Sequence, residues 1–563
     1  MKLRARDAFI ALTILMAADY RISEAASPLA VHVQNNHLVD ANGNVFRLLG
    51  VNRSGSEYAC EQSWGFFDGP VDDTAIAAIK AWNTNAVRVP LNEDCWLGIN
   101  LPASNPYIGS AYQQAIVAFV QRLNNAGLYV ILDLHWNAPG TNVANGQRPM
   151  ADLDHSPAFW SSVATIFKNF PAVVFDLYNE PYVSTWDCWR NGCTVSTSDG
   201  TWSTAGMTQL VAAVRGAGAT QPIMLGGLGY AGDLSQWLAN APADSLNPPQ
   251  LVASFHTYCQ GNTVAACQSS LADLQTNQWP TVATVANSVP VVTGEFGEYE
   301  CATTYVNPYM TFADSHGISY LGWAWDPYDC GSFPALIVDY TGTPTAYGMG
   351  LKSHLAAVRS MRGAHDFNGD YRSDVLWYNT ASGQAAMWLM SGTSVIGGGS
   401  PGSAGSPWAI VGQRDFNGDG YADIVWRNGT SGQVVIWLLN GTSMVGAGSP
   451  GTVTTDWTIA GTGDFNGDGM GDILWYNANT GQVLLWFLNG ASVIGGGSPG
   501  SAPSPWTVAG TGDFNGDGFA DILWYNTTTG QVVLWLLNGA SVIGGGSPGS
   551  APSPWQIQGM NVD

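Results

Sequence analysis

Residues 173–181 read VVFDLYNEP and residues 290–297 read PVVTGEFG. Each opens on an unbroken apolar run and carries a carboxylic acid at its far end, Glu180 in one and Glu295 in the other. An apolar run without polar alternation marks a strand buried on both faces, as in a parallel sheet covered by helices. Six more stretches share this grammar: FRLLGVN (46–52), AVRVPL (86–91), LYVILDLHW (128–136), PIMLGGL (222–228), LVASFHTY (251–258) and SYLGWAWD (319–326). Helical patterns separate most of them, among them DDTAIAAIKAW (72–82) and AYQQAIVAFVQRLNNAG (111–127), whose Gly127 suits a helix C-terminus. Eight such units predict a closed (β/α)8 barrel over residues 27–359. A hairpin at 31–47, turning at Asn-Gly, precedes the first unit.

Polar groups gather at one end of the predicted strands. Arg88, His135, Asn179, Glu180, His256, Tyr258, Glu295 and Trp325 all fall at C-terminal strand ends, where barrel enzymes place their chemistry. The fourth and seventh strands face each other across the mouth, so Glu180 and Glu295 converge. Two carboxyl groups about 5–5.5 Å apart are the equipment for cleaving a glycosidic bond with retention. One holds a proton for the leaving oxygen and the other attacks the anomeric carbon. Asn179 suits the sugar 2-OH, Arg88 and Tyr258 suit an ionised Glu295, and His256 suits contact with Glu180.

The motifs RVP (88–90), LDLHW (132–136), DLYNEP (176–181), SFHTY (254–258), TGEFG (293–297) and GWAWD (322–326) resemble glycoside hydrolase family 5 in content, order and strand placement. The resemblance covers roughly residues 30–358. It implies Glu180 as acid/base and Glu295 as nucleophile, with Arg88, His135, Asn179, His256, Tyr258 and Trp325 around them. Trp323 competes with Trp325 for stacking on the sugar; strand parity does not separate them, and Trp325, nearer the strand end, is preferred. Trp136, Trp64 and Trp96 are candidates for further subsites. The expected activity is a retaining endo-β-1,4-glucanase without a catalytic cofactor, with a mannanase or another β-glycanase as the alternative. A non-catalytic lectin or adhesin is the reading of a different class, and the intact pair of acids argues against it.

Composition agrees. The formal net charge of −23 excludes nucleic acid as a natural partner and leaves neutral polysaccharide or cations. Lys2, Arg4 and Arg6 followed by an apolar run over 8–18 predict a signal peptide over 1–26 and a secreted protein without a membrane span. The 8 cysteines are even in number and show no zinc-site spacing. Placing them on loops at one end of the barrel pairs Cys60 with Cys95, Cys188 with Cys193, Cys259 with Cys267, and Cys301 with Cys330.

Beyond residue 360 the grammar changes: Lys, Glu and Cys vanish, and DFNGD recurs at Asp366, Asp415, Asp464 and Asp513, a constant step of 49. Each copy carries about four short strands, the content of a propeller blade. Residues 360–563 are therefore expected to form an all-β, propeller-like domain of four blades. The first repeat lacks its leading Trp strand and the chain ends in an unpaired one, Trp555–Gly559, which would close the ring; an open stack or an oligomeric ring fits the same pattern. The loop D-x-N-x-D-[GY]-x-x-D resembles calcium-binding FG-GAP or VCBS-type repeats. Its expected ligands are Asp366, Asn368, Asp370 and Asp374; Asp415, Asn417, Asp419 and Asp423; Asp464, Asn466, Asp468 and Asp472; and Asp513, Asn515, Asp517 and Asp521. Tyr371 replaces the loop glycine in the first copy. Binding of insoluble glycan or a cell surface through the repeats is a further expectation.

Overall fold

The computed structural model describes residues 29–557 apart from 42, 44, 260–262, 371, 516, 517 and 552. The expected signal segment, Asp517 and Tyr371 lie outside the described residues.

Eight parallel strands close into a barrel. In chain order they are β1 (Leu49–Asn52), β2 (Ala86–Asn92), β3 (Tyr129–Trp136), β4 (Val173–Asp176), β5 (Ile223–Gly226), β6 (Leu251–Tyr258), β7 (Val291–Gly297) and β8 (Ser319–Gly322). β8 pairs with β1 and completes the circle. Gly50 is required where β1 meets β2, because a Cβ there would lie 1.8 Å from the carbonyl oxygen of Ala86.

The flanking helices follow from apolar spacing and caps. In the helix Ser110–Asn125, Tyr112, Ile116, Phe119, Val120 and Leu123 form one buried face. The chain leaves that helix through Gly127 at φ +81°, while Leu128 N–H donates to Leu123 O at 2.9 Å. Only glycine takes this left-handed turn without steric cost. The helix Asp73–Lys80 is capped by Asp72, whose carboxylate accepts from Ala75 N–H at 3.0 Å.

The N-terminal segment forms three short strands, His32–Gln34, His37–Val39 and Val45–Phe46. Its first turn is at Asn35–Asn36, upstream of the Asn-Gly pair, and Asn35 takes φ +56°. Asparagine tolerates that conformation, so the first hairpin closes earlier than expected. Val31, Val33, Leu38 and Phe46 then plug the barrel floor against Ile131, Val174, Met224, Val252 and Val292.

The four disulfides pair as expected from loop placement, and no free cysteine is found among the described residues. No described helix is long and apolar enough to cross a membrane.

A last barrel helix, Ala346–Ala364, leads into the repeats. These form one three-stranded sheet and three four-stranded antiparallel sheets. The first consists of Val375–Tyr378, Gln384–Ser391 and Ser394–Ser403. The others begin at Trp408, Thr458 and Trp506. The expected ring closure by Trp555–Gly559 is not realised: residues 555–557 form no strand, residues 558 and 559 lie outside the described residues, and Trp555 is 72% exposed. A tyrosine nevertheless holds this segment as in the other repeats. Tyr525 Oη donates to Ala551 O at 3.1 Å and Trp555 O at 3.4 Å, holding the segment on the fourth sheet. Tyr378 and Tyr476 hold the linkers after their own sheets in the same way.

The repeats meet the floor of the barrel. Arg372 Nη2 donates to Ser315 O at 3.0 Å, and Asn368, Asp370 and Ile396 line a cleft with His37, Phe46 and Gly317. The first repeat loop is thus remote from the strand ends that carry the acids.

Candidate active site

Arg88 is the centre of the site. It is the third residue of β2, lower than the strand end at which it was expected, and its long side chain rises inside the barrel. Its Nη1 donates to Glu295 Oε1 at 2.7 Å and to Asn52 Oδ1 at 3.1 Å. Its Nη2 donates to Asn179 Oδ1 at 3.0 Å and lies 3.0 Å from Asp133 Oδ2; its Nε donates to Asp176 Oδ2 at 3.0 Å. Burial opposes the charge on Arg88, but Asp133, Asp176 and Glu295 outweigh burial and raise its pKa above the ordinary value.

Glu295 reaches the cavity because β7 is bulged. Phe255 pairs with Thr293 and His256 with Glu295, so Gly294 is an extra residue in the ladder. Without the bulge, Thr293 and Glu295, two residues apart, would share a face. With it, Thr293 bonds Tyr309 on the helix side while Glu295 turns to Arg88. Glycine is needed at the bulge: a Cβ at 294 would lie 2.8 Å from His256 Nε2. Tyr258 Oη donates to the second oxygen of Glu295 at 2.6 Å. Arg88 and Tyr258 thus hold one oxygen each and fix the orientation of the carboxylate.

Glu180 lies in the loop after β4, which ends at Asp176. His256 Nδ1 stands 3.1 Å from Glu180 Oε1 and 3.6 Å from Glu295 Oε2. One oxygen of each acid and a ring nitrogen of His256 lie within 4.8 Å of one another. Burial raises the pKa of Glu180, against the opposing effect of Gln147. Burial also drives His256 down to about 3 and His135 down to about 4, so both rings are neutral near pH 7. His135 Nδ1 is 2.7 Å from Asp133 Oδ2, which fixes the ring on the wall of the site.

The aromatic residues separate by burial. Trp323 is half-buried and lies parallel to His135, centroids 5.3 Å apart at 10°. Trp325, preferred from sequence for sugar stacking, is fully buried and packs edge-on against Trp82 at 4.7 Å. The correction has a local cause: β8 ends at Gly322, so strand alternation does not extend through GWAWD. Trp96 is likewise core, among Tyr112, Phe159 and Phe167. Trp64 is exposed, and Tyr58 stands between it and the half-buried Trp136, 5.9 and 6.3 Å away. Trp323→Ala should raise KM on oligosaccharides while leaving the melting temperature near wild type. Trp325→Ala should instead destabilise the barrel by about 3–5 kcal/mol, the usual cost of emptying an aromatic core site. Paired kinetics and thermal melts check both.

Sequence reasoning missed Asn52, Asp133, Asp176 and Gln147. Asp133 stands two residues from His135 on one strand face, a signal present in LDLHW. Gln147 donates to Glu180 O at 2.8 Å and accepts from Asn179 Nδ2 at 3.3 Å, from a loop with no local motif.

The repeat loops are held by their own acids. The ninth-position aspartates, Asp374, Asp423, Asp472 and Asp521, are buried clips. One oxygen of each accepts from Phe367, Phe416, Phe465 or Phe514 N–H at 2.9 Å. The other accepts from Met390, Leu439, Leu488 or Leu537 N–H at 2.8–2.9 Å. Each thus staples its loop to the second strand of the following hairpin, and among the described residues no loop gathers three acids within 4.8 Å. Positions one, three and five accept loop amides as well: in the second repeat Gly418 N–H donates to Asp415 Oδ1 and Gly420 N–H to Asp415 Oδ2, both at 2.7 Å, and Tyr421 N–H donates to Asp419 Oδ1 at 3.0 Å.

The family model for cellulases of glycosyl hydrolase family 5 matches residues 39–329, just over half of the 563 residues. The FG-GAP-like repeat model matches 415–475 and 464–524. A mannan endo-1,4-beta-mannosidase of Streptomyces lividans is 26% identical over 311 residues, 54% of this chain and 67% of that protein. An endoglucanase of Halalkalibacter akibai is 26% identical over 145 residues, 26% of this chain and only 16% of that protein. The solved catalytic domain of the major endoglucanase from Xanthomonas campestris pv. campestris is 22% identical, covering 58% of this chain and 99% of that one, with a TM-score of 0.44. On the match over its barrel the chain belongs to glycosyl hydrolase family 5: it is a glycoside hydrolase followed by FG-GAP-like repeats.

Proposed function

We propose that the protein is a secreted, retaining endo-β-1,4-glycanase acting on β-1,4-glucan. The observation that carries retention is the proximity of the Glu180 and Glu295 oxygens, both within 4.8 Å of one His256 nitrogen. That spacing suits direct attack and leaves no room for the water an inverting pair must hold. Glu295, held by Arg88 and Tyr258, attacks the anomeric carbon. Glu180, whose pKa burial raises, gives its proton to the leaving oxygen and later takes one from water. Neutral His256 beside Glu180 adds no positive charge that would strip the acid early. Asn179, fixed by Arg88 and Gln147, faces the position of the 2-OH. Trp323, Trp136 and Trp64 offer aromatic faces for sugar rings.

The acid must be protonated, so kcat/KM should fall as pH rises through the raised Glu180 pKa. Glu180→Gln should abolish that basic limb on substrates with activated leaving groups, and a pH profile of both proteins checks it. The second reading, a β-mannanase, is favoured by the match to the Streptomyces lividans mannosidase over 54% of this chain. Initial rates on carboxymethyl cellulose, barley glucan, mannan and xylan, with product sizing, decide between them. Highest rates on mannan would replace the glucan reading; activity on none would overturn both.

The repeats are proposed to bind calcium through the first, third, fifth and ninth loop positions and to hold the enzyme on insoluble glycan. In the second repeat, burial and Asp419 lift Asp415 to about 7. Burial and Asp415 lift Asp423 to about 9, and in the third repeat burial lifts Asp472 to about 8. A carboxyl with its folded pKa raised is at no disadvantage below its unfolded value near 4 and costs stability as pH rises through the folded pKa. Metal-free repeats should therefore melt progressively earlier from about pH 5 to pH 9. Calcium should reverse most of that loss by mass action. Calorimetry with and without chelator reads the effect, and soluble-substrate hydrolysis should stay unchanged.

A further inference from the structure

The four sheets join by a repeated knob-and-hole contact. In the second to fourth sheets, the Trp of the third strand enters a glycine gap on the outer edge of the sheet before it. A Cβ at Gly402 would lie 3.3 Å from the Trp437 ring, one at Gly451 3.1 Å from Trp486, and one at Gly500 3.3 Å from Trp535. The Trp of the second strand also packs on the preceding sheet. Tyr378 meets Trp426 edge-on at 5.4 Å, Arg427 lies over Trp475 at 4.9 Å, and Tyr476 meets Trp524 at 5.5 Å. The loops repeat the pattern once more: Gly369 backs onto Tyr421, Gly418 onto Met470 and Gly467 onto Phe519.

Both ends of the array show half of this joint. At the first sheet, Trp377 and Trp388 are each 47% exposed, whereas the equivalents of Trp377 in the later sheets, Trp426, Trp475 and Trp524, are 1%, 0% and 1% exposed. At the fourth sheet, Gly549 occupies the position of Gly402, Gly451 and Gly500, and no described atom lies within 4 Å of a Cβ there. Tyr525, the counterpart of Tyr378 and Tyr476, is half-buried on the second strand of the same sheet and meets no following Trp among the described residues. Among the described residues, one end therefore carries two knobs without a hole, and the other a hole without a knob.

We propose that these ends join between chains: the Trp377/Trp388 face of one copy seats on the Gly549/Tyr525 face of a second. The occupant is fixed by the repeat itself, because the missing partner surface at each end is the surface found at the opposite end of the same array. Within one chain the ends do not meet, since Trp377 and Trp388 remain exposed. The contact is heterologous, so two copies joined twice would close a ring and further copies would extend a chain. Either arrangement would present several catalytic barrels from one assembly, raising the effective strength of attachment to a polymer.

Two variants test the joint in the full-length protein. Trp377→Ala with Trp388→Ala removes the knobs, and Gly549→Leu fills the hole. Light scattering should give wild type a mass of at least twice the 59.6 kDa of one chain, less any leader removed, while each variant alone should run as a single chain. Mixing the two variants should restore a one-to-one pair, because each supplies the surface the other lacks. Turnover of a soluble oligosaccharide should be unchanged in both, reporting a folded barrel. A wild type that stays a single chain at every concentration would overturn the proposal, including the case in which the array closes on itself. Variants that fail to pair on mixing would also overturn it, as would variants that self-associate like wild type.

Discussion

Replacing Glu295 by alanine should lower turnover of oligosaccharide by about four orders of magnitude or more, the scale seen when a covalent nucleophile is deleted. The barrel should survive, because the change removes a charge rather than adding one. Arg88 keeps Asp133 and Asp176 as partners within 3.0 Å. The cavity left beside Tyr258 and His256 would admit a small anion. Azide should therefore restore activity and form a glycosyl azide of inverted configuration, since it attacks from the side Glu295 occupied. Kinetics with and without azide, and NMR of the product, check this. Undiminished activity of the variant would remove Glu295 from the mechanism.

Arg88→Ala should be the most damaging single change to the barrel. Arg88 is fully buried and ties together Asn52, Asp133, Asp176, Asn179 and Glu295. Its loss strands Asp133 and Asp176, both fully buried, without a cation. Breaking a buried ion network by removing one partner costs about 3–5 kcal/mol. Arg88→Lys keeps the charge but not the planar fork, so it should recover part of the stability and little of the activity. Denaturant melts and kcat on the same samples separate the two effects. Stability of Arg88→Ala equal to wild type would show that the aspartates are neutral without it.

The barrel was legible because its strands are continuous apolar runs and its acids sit at strand ends. The placement of cysteines on loops at that end likewise led to the pairs observed. Other features turn on single residues that sequence periodicity does not register. One extra residue, Gly294, inverts the facing of Glu295 relative to Thr293. The end of β8 at Gly322 sends Trp323 to the site and Trp325 to the core. Asp133 and Asp176 sit inside apolar strands, where their charge makes sense only once Arg88 is seen between them. In the repeats, the loop motif does not announce that its ninth-position acid also accepts two backbone amides and so ties the loop to the hairpin. The terminal Trp segment reads as a missing strand because it repeats the leading Trp strand of the other copies, yet residues 555–557 form none.

The most direct test of the central claim is to trap the glycosyl-enzyme. The protein would be incubated with a 2-deoxy-2-fluoro glycoside bearing a good leaving group, digested and mapped by mass spectrometry. Fluorine at C2 slows both steps, and the activated leaving group lets the first outrun the second, so a retaining enzyme accumulates its covalent intermediate. One sugar on the peptide containing Glu295, with loss of activity in proportion to labelling, is the result expected. A label on another carboxylate, or stoichiometric turnover with inverted product and no label, would contradict the account.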